Sequence, residues 1–395
     1  MTSPDRAFPD PRMGEPFLLT PGPLTTAYSV KEAMLKDWGS WDGDFRAMTK
    51  SLCDQLVALA GDTRGEFACV PMQGSGSFSV EAMLGTMVPR DGKVLVLANG
   101  AYGLRAAETL RVMGRAHTLI DKGDYLPPRG DEVGRALDAD PAITHVIAIH
   151  CETSSGILNP VAEIAEAVAA RGRKLLIDSM SAFGAVDLDV NRIRYEAMVS
   201  SANKCIEGVP GFGFVIARKT ALEAARGNAH SLSLDVHAQW AAMVKTGQWR
   251  FTPPTHVVAA FLEALRLHAA EGGVEGRGAR YVRNRDVMVQ GMRGLGFETL
   301  LADRWLSPII VTFFNPADPN FVFSRFYELM KARGFIIYPG KLTVVDSFRV
   351  GCIGRMDEHI MRRVVKAAAE CLAEMGVDSA APPAAAIAER AKLAA

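Results

Sequence analysis

The sequence lacks the features that mark secreted, membrane-spanning and nucleic-acid-binding proteins. Its six cysteines are scattered without a CxxC pair, which argues against a disulfide framework and a zinc site. Lys plus Arg and Asp plus Glu both number 44, so no excess positive charge attracts nucleic acid or an anionic membrane. The longest apolar runs fall far short of the ~20 residues that a spanning helix needs, and residues 1–13 lack the apolar core of a secretion signal. We expect a cytoplasmic protein that binds no metal.

Short apolar runs alternate with helical stretches through the first two thirds of the chain. The runs are FACVPM, KVLVLAN, HVIAIHC, KLLIDS and GFGFVIAR, between residues 67 and 218. Continuous apolar strands separated by helices are typical of a mostly parallel sheet that helices cover on both faces. The sequence therefore predicts an α/β fold, with polar motifs at the carboxyl ends of the strands, where such sheets bind ligands.

Four segments are predicted along the chain. Residues 1–15 form an N-terminal extension, expected to be flexible, and residues 16–270 a large domain whose first segment packs on a smaller one. Apolar runs such as SPIIVTFF and SFRVGCIG, followed by a final helix, predict a small C-terminal α/β domain over residues 271–378. The Ala- and Pro-rich tail, residues 379–395, is expected to be flexible because it has few large apolar side chains.

Lys204 is the main candidate for covalent chemistry. It follows a short apolar segment and precedes a turn containing Gly and Pro, in VSSANKCIEGVPGF. A surface lysine is the simplest alternative for any lysine taken alone. Asp178 ends an apolar strand about one α/β unit earlier, so both side chains are expected in one cleft. An acid there can keep the pyridine nitrogen of pyridoxal 5'-phosphate protonated, whereas the alternative is a helix cap.

A phosphate site is predicted where QGSGS leads into a helix. The backbone N–H groups of Ser75, Gly76 and Ser77 and the helix dipole suit a 5'-phosphate, although an ordinary helix cap has the same sequence pattern. Tyr102, in NGAYG, is placed to stack on a cofactor ring; a half-buried core tyrosine is the alternative. Thr153, beside Glu152 in ETSSG, offers a hydroxyl to the cofactor's phenolic oxygen, or else forms a local turn.

Arg349 stands inside an otherwise apolar run, SFRVGCIG, of the predicted small domain. A guanidinium matches a carboxylate or phosphonate at two points, so Arg349 is the expected anchor for an acidic substrate. A structural ion pair is the alternative.

Taken together and in order, these motifs resemble the class V aminotransferases of pyridoxal phosphate fold type I, from Leu18 to about Met375. TPGPLTT, QGSGS, NGAYG, ETSSG, SSANKCIEGVPGF and WRFTPPTH carry the resemblance. It implies that Lys204 forms a Schiff base with the cofactor, that Asp178 partners its ring nitrogen, and that Tyr102 stacks on it.

The resemblance assigns further residues. Ser75, Gly76 and Ser77 would hold the cofactor phosphate, Thr153 its hydroxyl oxygen, and Asn203 of the SANKC motif would also contact it. Thr252, in WRFTPPTH, would reach the cofactor phosphate of the other subunit, which implies a homodimer with shared active sites. Arg349 would bind the acidic end of the substrates.

SANKC followed by GVPGF, with SLSLD downstream, is similar to the branch of the family that transfers the amino group of 2-aminoethylphosphonate to pyruvate. The expected products are phosphonoacetaldehyde and alanine, in phosphonate catabolism. An alanine:glyoxylate or serine:pyruvate aminotransferase is the main alternative, because it uses the same cofactor residues. A cysteine desulfurase and a non-catalytic regulator that binds pyridoxal phosphate are more remote.

Overall fold

The computed structural model describes residues 14–340 and 345–394. The predicted extension at residues 1–15 lies outside them, apart from its last two positions. The strands are β1 Phe17–Leu18, β2 Phe67–Gln73, β3 Lys93–Ala98, β4 Ala116–Asp121, β5 Ile143–Ile149, β6 Cys151–Glu152, β7 Ile157–Leu158, β8 Lys174–Asp178, β9 Ala197–Ser201, β10 Phe212–Arg218, β11 Ile310–Phe314, β12 Phe335–Ile336, β13 Tyr338–Pro339 and β14 Ser347–Gly351. The helices are α1 Tyr28–Glu32, α2 Gly43–Leu59, α3 Gly76–Met87, α4 Ala101–Val112, α5 Gly130–Ala139, α6 Val161–Ala169, α7 Lys219–Ala224, α8 Val236–Thr246, α9 Thr255–Ala270, α10 Gly273–Gly294, α11 Phe323–Ala332, α12 Glu358–Met375 and α13 Ala384–Ala394.

A seven-stranded sheet forms the larger part of the described chain, in the order β2-β10-β9-β8-β5-β3-β4. β10 runs antiparallel to both of its neighbours, and the other pairings are parallel. β2 and β9 both oppose β10, so they run in the same direction as each other. The carboxyl ends of β2, β3, β5, β8 and β9 therefore share one edge of the sheet, as the sequence predicts.

Two apolar layers cover this sheet. Alternate residues of β3 show the division: Leu95 and Leu97 pack in one cluster, with α2, α5, α6 and α9, and Val94 and Val96 pack in the other, with α3, α4, α7 and α8. Successive side chains of a strand point to opposite faces, so a strand buried on both faces needs an unbroken apolar run. The α/β fold predicted from those runs is confirmed.

The C-terminal part is built on a three-stranded sheet in the order β11-β14-β13. Its apolar core includes side chains of α10, α11 and α12. The start of the chain joins this core, because β1 pairs in parallel with β12 and the rings of Phe17 and Phe335 stack at 6.0 Å between centroids. The domain boundary between residues 270 and 271 stays a prediction.

The flexibility expected of the tail, residues 379–395, stays a prediction. Within its described part, α13 is a helix, Ala386 is buried in the C-terminal core, and Arg390 donates to Glu298 Oε2 at 2.8 Å and to the Thr299 carbonyl at 2.7 Å. Alanine has the highest helix propensity, and one arginine supplies the contact that composition alone does not reveal. In the described residues no helix is long and apolar enough to cross a membrane. No cluster of metal-ligating side chains is found there either.

Candidate active site

A cavity of about 320 Å³ opens at the carboxyl edge of the large sheet, beside β2, β8 and β9. It brings together seven of the residues predicted from the sequence, and residues from the N-terminal segment and from α4 also line it. The seven are Ser75, Gly76, Ser77, Tyr102, Asp178, Asn203 and Lys204. They come from four separate stretches of sequence, so the sheet topology creates the site.

Lys204 lies on a tight turn that directly follows β9. The Lys204 carbonyl accepts a hydrogen bond from Glu207 N at 2.8 Å, so the turn closes on itself. The Lys204 Nζ donates to the Pro21 carbonyl at 2.6 Å. A Cβ atom at Gly22 would lie 2.9 Å from that Nζ, so only glycine lets the N-terminal segment approach so closely. Burial lowers the pKa of Lys204, which favours the neutral amine that a nucleophile or base requires.

Asp178 ends β8 and is buried. Its Oδ1 accepts a hydrogen bond from Met180 N at 3.0 Å. Burial raises the pKa of Asp178 to about 6, while the charges of Lys204 and Arg105 oppose the rise. A buried carboxyl group with no charged partner in contact is suited to a cationic N–H group of a ligand.

One end of the cavity is the start of α3, where the sequence predicts a phosphate site. Ser75 precedes the helix in an extended conformation, and its side chain makes no capping hydrogen bond. A Cβ atom at Gly76 would lie 2.5 Å from Met180 Sδ, so the backbone at this point leaves no room for a side chain. The first N–H groups of α3 thus face the cavity edge with the positive end of the helix dipole, an arrangement that binds anions.

Tyr102 lies in the first turn of α4, next to the same cavity. Glu152 fixes this turn, because its Oε2 accepts from Tyr102 N at 3.0 Å and from Gly103 N at 3.3 Å. Burial raises the pKa of Glu152, and hydrogen bonds from Ser154 and from the start of α4 favour its charged form. A Cβ atom at Gly100 would meet Glu152 Cγ at 2.5 Å, so a glycine is needed where α4 begins.

Arg105 is a cavity residue that the sequence reasoning missed. Its Nη1 donates to Ser77 Oγ at 3.3 Å, and its Cζ lies 5.0 Å from the centroid of the Tyr102 ring. These contacts bring a positive charge between the ring and the predicted phosphate site. The available signal was its spacing: positions three apart on a helix lie on the same face, and Tyr102 and Arg105 are so spaced.

Arg349 and Thr153 lie next to each other but do not line this cavity. Arg349 is buried on β14, where its Nε donates to the Pro339 carbonyl at 3.1 Å and its Nη1 to the Thr153 carbonyl at 2.9 Å. Burial lowers the pKa of Arg349, whereas the nearby Tyr102 acts to raise it. The contacts found for Arg349 among the described residues are two carbonyl oxygens and the ring of Tyr338, and none of them is an ion pair.

Thr252 is exposed on the loop between α8 and α9 and does not reach the cavity of its own chain. Its neighbour Phe251 lies with Gly74 and Phe78 on a separate groove. The predicted role of Thr252 in another subunit stays a prediction, as do the individual roles of the cavity residues.

Comparison with known proteins identifies the family. Residues 115–320 match the family model described as Aminotransferase class-V. The chain is 78% identical over 383 residues to the 2-aminoethylphosphonate–pyruvate transaminase of Rhizobium meliloti (strain 1021), covering 97% of this chain and 100% of the relative. It is 71% identical over 384 residues to 2-aminoethylphosphonate–pyruvate transaminase 1 of Paraburkholderia xenovorans (strain LB400), covering 97% and 99%.

Among solved structures, the alanine–glyoxylate aminotransferase of Nostoc sp. superimposes with a TM-score of 0.84 at 21% identity, over 91% of this chain and 95% of that one. This likeness concerns the fold, whereas the high identities above concern the whole sequence. The chain therefore belongs to the class-V aminotransferase family: it is a transaminase with the type I fold of pyridoxal phosphate enzymes.

Proposed function

We propose that this transaminase moves the amino group of 2-aminoethylphosphonate to pyruvate, which yields phosphonoacetaldehyde and alanine, as part of phosphonate catabolism. The observation that carries the proposal is the 78% identity, over nearly the full length, to a relative of that name. A cytoplasmic location goes with this role.

The residues of the cavity fit pyridoxal phosphate. Lys204 supplies an amine for covalent attachment, Asp178 a buried carboxyl group for the ring nitrogen, and Tyr102 a ring of matching shape. Ser75, Gly76 and Ser77 would hold the phosphate at the start of α3, and Arg105 would add a counter-charge. Thr153 and Asn203 would complete the set of polar contacts.

In the proposed mechanism, Lys204 acts twice. Its Nζ would hold the cofactor and, once the substrate amine is bound there instead, would accept the proton from the substrate carbon that carries nitrogen. Bound pyridoxal phosphate supplies the electron sink for the electron pair left on that carbon. Asp178 would hold the cofactor's ring nitrogen through a charge-assisted hydrogen bond. The lowered pKa of Lys204 suits the removal of the proton, because more of its amine is unprotonated at neutral pH.

Arg349 would bind the anionic end of each substrate in turn, since phosphonate and carboxylate are both compact oxyanions. The two carbonyl contacts orient its guanidinium while leaving its positive charge uncompensated by a carboxylate of the described chain. A preformed cation of this kind selects for amines and oxo-acids that carry an acidic group.

Replacement of Arg349 by Lys is expected to raise KM for 2-aminoethylphosphonate and for pyruvate. Lysine keeps the charge but loses the planar fork, and the loss of one charge-assisted hydrogen bond, about 1.5–3 kcal/mol, corresponds to roughly 10- to 100-fold in kcat/KM. Both half-reactions are measured by single-turnover absorbance. As a control, Arg333→Lys alters a partly exposed arginine that pairs with Glu370 and Glu374 on α12. Unchanged kinetics for both substrates would remove Arg349 from the site.

The active form is proposed to be a homodimer in which Thr252 of each subunit contacts the cofactor phosphate bound by the other. The exposed position of Thr252, away from its own cavity, supports this arrangement. Phe251 directly precedes Thr252, and the Leu232 carbonyl accepts a hydrogen bond from Arg250, two positions before Thr252. Phe251 and Leu232 are large apolar side chains that are exposed in the single chain, as expected of a surface that a second subunit covers.

The alternative of a cysteine desulfurase finds no support in the thiols near the site. Cys205 and Cys352 are buried, and burial raises the pKa of both thiols well above its usual range. A nucleophilic cysteine needs a lowered pKa and access to the substrate.

The proposed reaction is tested by alanine formation from 2-aminoethylphosphonate and pyruvate. The comparison arms use glyoxylate as acceptor, and serine or alanine as donor. We expect rapid turnover with the aminophosphonate and pyruvate. Turnover with the amino acids and glyoxylate alone would instead indicate an alanine:glyoxylate or serine:pyruvate aminotransferase. If no donor reacts although the cofactor binds, the chain has a regulatory role.

A further inference from the structure

Two arginines and two glutamates form a buried cluster at the start of α10. Arg280 Nη2 lies 2.8 Å from Glu207 Oε1, and Arg280 Nε lies 2.6 Å from Glu271 Oε1. Arg277 Nε lies 2.9 Å from Glu271 Oε2. The side chains of Arg277, Arg280 and Glu207 are between 0% and 4% exposed, so these charges are almost fully removed from water.

One side of the cluster holds the turn that carries Lys204. Glu207 accepts from Arg280 and, at 2.6 Å, from the Tyr281 hydroxyl group. The Cys205 carbonyl, directly after Lys204, accepts from Arg277. Glu207 adopts a φ of +64°, a left-handed conformation that is uncommon for residues other than glycine. The ion pairs therefore hold the backbone of this turn in a conformation that its sequence does not favour.

The other side of the cluster holds the segment that follows Arg349. Arg280 Nη1 donates to the Gly354 carbonyl at 2.5 Å and to the Met356 carbonyl at 2.8 Å. One turn further along α10, Asn284 Nδ2 donates to the Cys352 carbonyl at 3.0 Å. A single guanidinium thus bonds both to the turn of Lys204 and to the chain just beyond β14.

Stability does not explain such a cluster, because the desolvation of buried charges cancels much of their attraction and an apolar core of equal volume is often as stable. The geometry of the site does explain the cluster. Lys204 and Arg349 lie on different parts of the fold, and in the proposed reaction they must meet the two ends of one small substrate. We propose that Arg280 is a positioning residue that sets the separation between the Lys204 amine and the Arg349 guanidinium. The inference rests on the function proposed above, because only a substrate with an amine and an acid engages both residues.

The test compares two amines of equal carbon length in Arg280→Lys: 2-aminoethylphosphonate and ethylamine, which lacks the phosphonate. The rate of the first half-reaction is followed by the absorbance of the bound cofactor in a single turnover. We expect kcat/KM for 2-aminoethylphosphonate to fall about 10- to 100-fold, because a misplacement near 1 Å has effects of that order. The rate with ethylamine should stay within about twofold, since it uses Lys204 alone.

Arg283→Lys is the matched control, since Arg283 lies on the same helix, is 58% exposed and has Glu358 only at 3.9 Å. It should leave both rates at the level of the unmodified enzyme. If Arg280→Lys does not fold, Glu207→Gln, which keeps the shape of the side chain, is measured in the same way. An equal loss with both amines would overturn the proposal, because it indicates a general structural effect, and so would unchanged rates with both.

A failure of the proposed function can be distinguished from a failure of the role proposed for Arg280. If the unmodified enzyme uses alanine instead of 2-aminoethylphosphonate, the substrate assignment is wrong. The pair alanine and ethylamine then tests the role of Arg280 by the same criterion.

Discussion

Replacement of Lys204 by Ala is expected to abolish transamination and the visible absorption of the bound cofactor. The change removes both the covalent attachment and the group that moves the proton, so the rate should fall by about 10⁴-fold or more. Alanine formation measures the first effect and an absorption spectrum of the purified protein the second. The fold should remain intact, because Lys204 is only partly buried and the turn is closed by backbone hydrogen bonds.

The matched control is Lys219→Ala. Lys219 is exposed at the start of α7, beyond the far end of β10 from the turn of Lys204, and donates to the Gly65 carbonyl at 2.7 Å. This variant should keep both the spectrum and the activity. An active, coloured Lys204→Ala protein would show that another group binds the cofactor, and the site assignment would have to be abandoned.

Replacement of Asp178 by Asn is expected to lower kcat/KM for both substrates by about 10²- to 10³-fold, the usual effect of removing a preorganised electrostatic contact. Asparagine keeps the shape and the hydrogen bond from Met180 N but cannot hold a positive charge on the ring nitrogen. Cofactor should still bind through Lys204, and its absorption band should shift. The control is Asp187→Asn, because Asp187 pairs with Arg192 at the surface. Full activity of Asp178→Asn would exclude the proposed contact.

The same substitution has an effect on stability before cofactor is added. The pKa of Asp178 is about 6 in the folded chain, against the usual 3.8, so folding favours its protonated form. The contribution of the protonated Asp178 to the free energy of unfolding is complete below the unfolded pKa, and it is lost as pH rises through about 6. Cofactor-free wild type should therefore lose up to about 3 kcal/mol of unfolding free energy relative to Asp178→Asn between pH 4 and pH 7. Urea titrations of both proteins across this range, without cofactor, measure the difference.

The apolar runs in the sequence predict five of the seven strands of the large sheet and leave out two, β4 and the short β9. The five apolar runs correspond to β2, β3, β5, β8 and β10, because burial on both faces requires continuous apolar residues. β4 lies at the edge of the sheet and none of its residues is fully buried, so its sequence, AHTLID, has no such run. The antiparallel direction of β10 was also beyond the sequence, since a buried strand has the same composition in either direction.

The site was predictable where function depends on residues just after a strand. Lys204, Asp178 and the start of α3 all follow that rule and line one cavity. Arg105 lies within a helix, where an arginine is ordinarily solvated, so its spacing from Tyr102 is the one local signal and nothing nearby indicates its contact with Ser77. The pair of Glu207 and Arg280 is separated by 73 positions, and nothing in either neighbourhood indicates the other.

The N-terminal segment links the first and last parts of the chain, and this has a consequence for biosynthesis. Among the described residues β1 pairs with β12 alone, and the Thr25 carbonyl accepts a hydrogen bond from Arg355 N at 2.7 Å. Between these two contacts, Pro21 and Gly22 form the wall against Lys204. A nascent chain on the ribosome can complete the large sheet early, but its first segment has no place to dock until the C-terminal strands emerge. The site should therefore close late in synthesis.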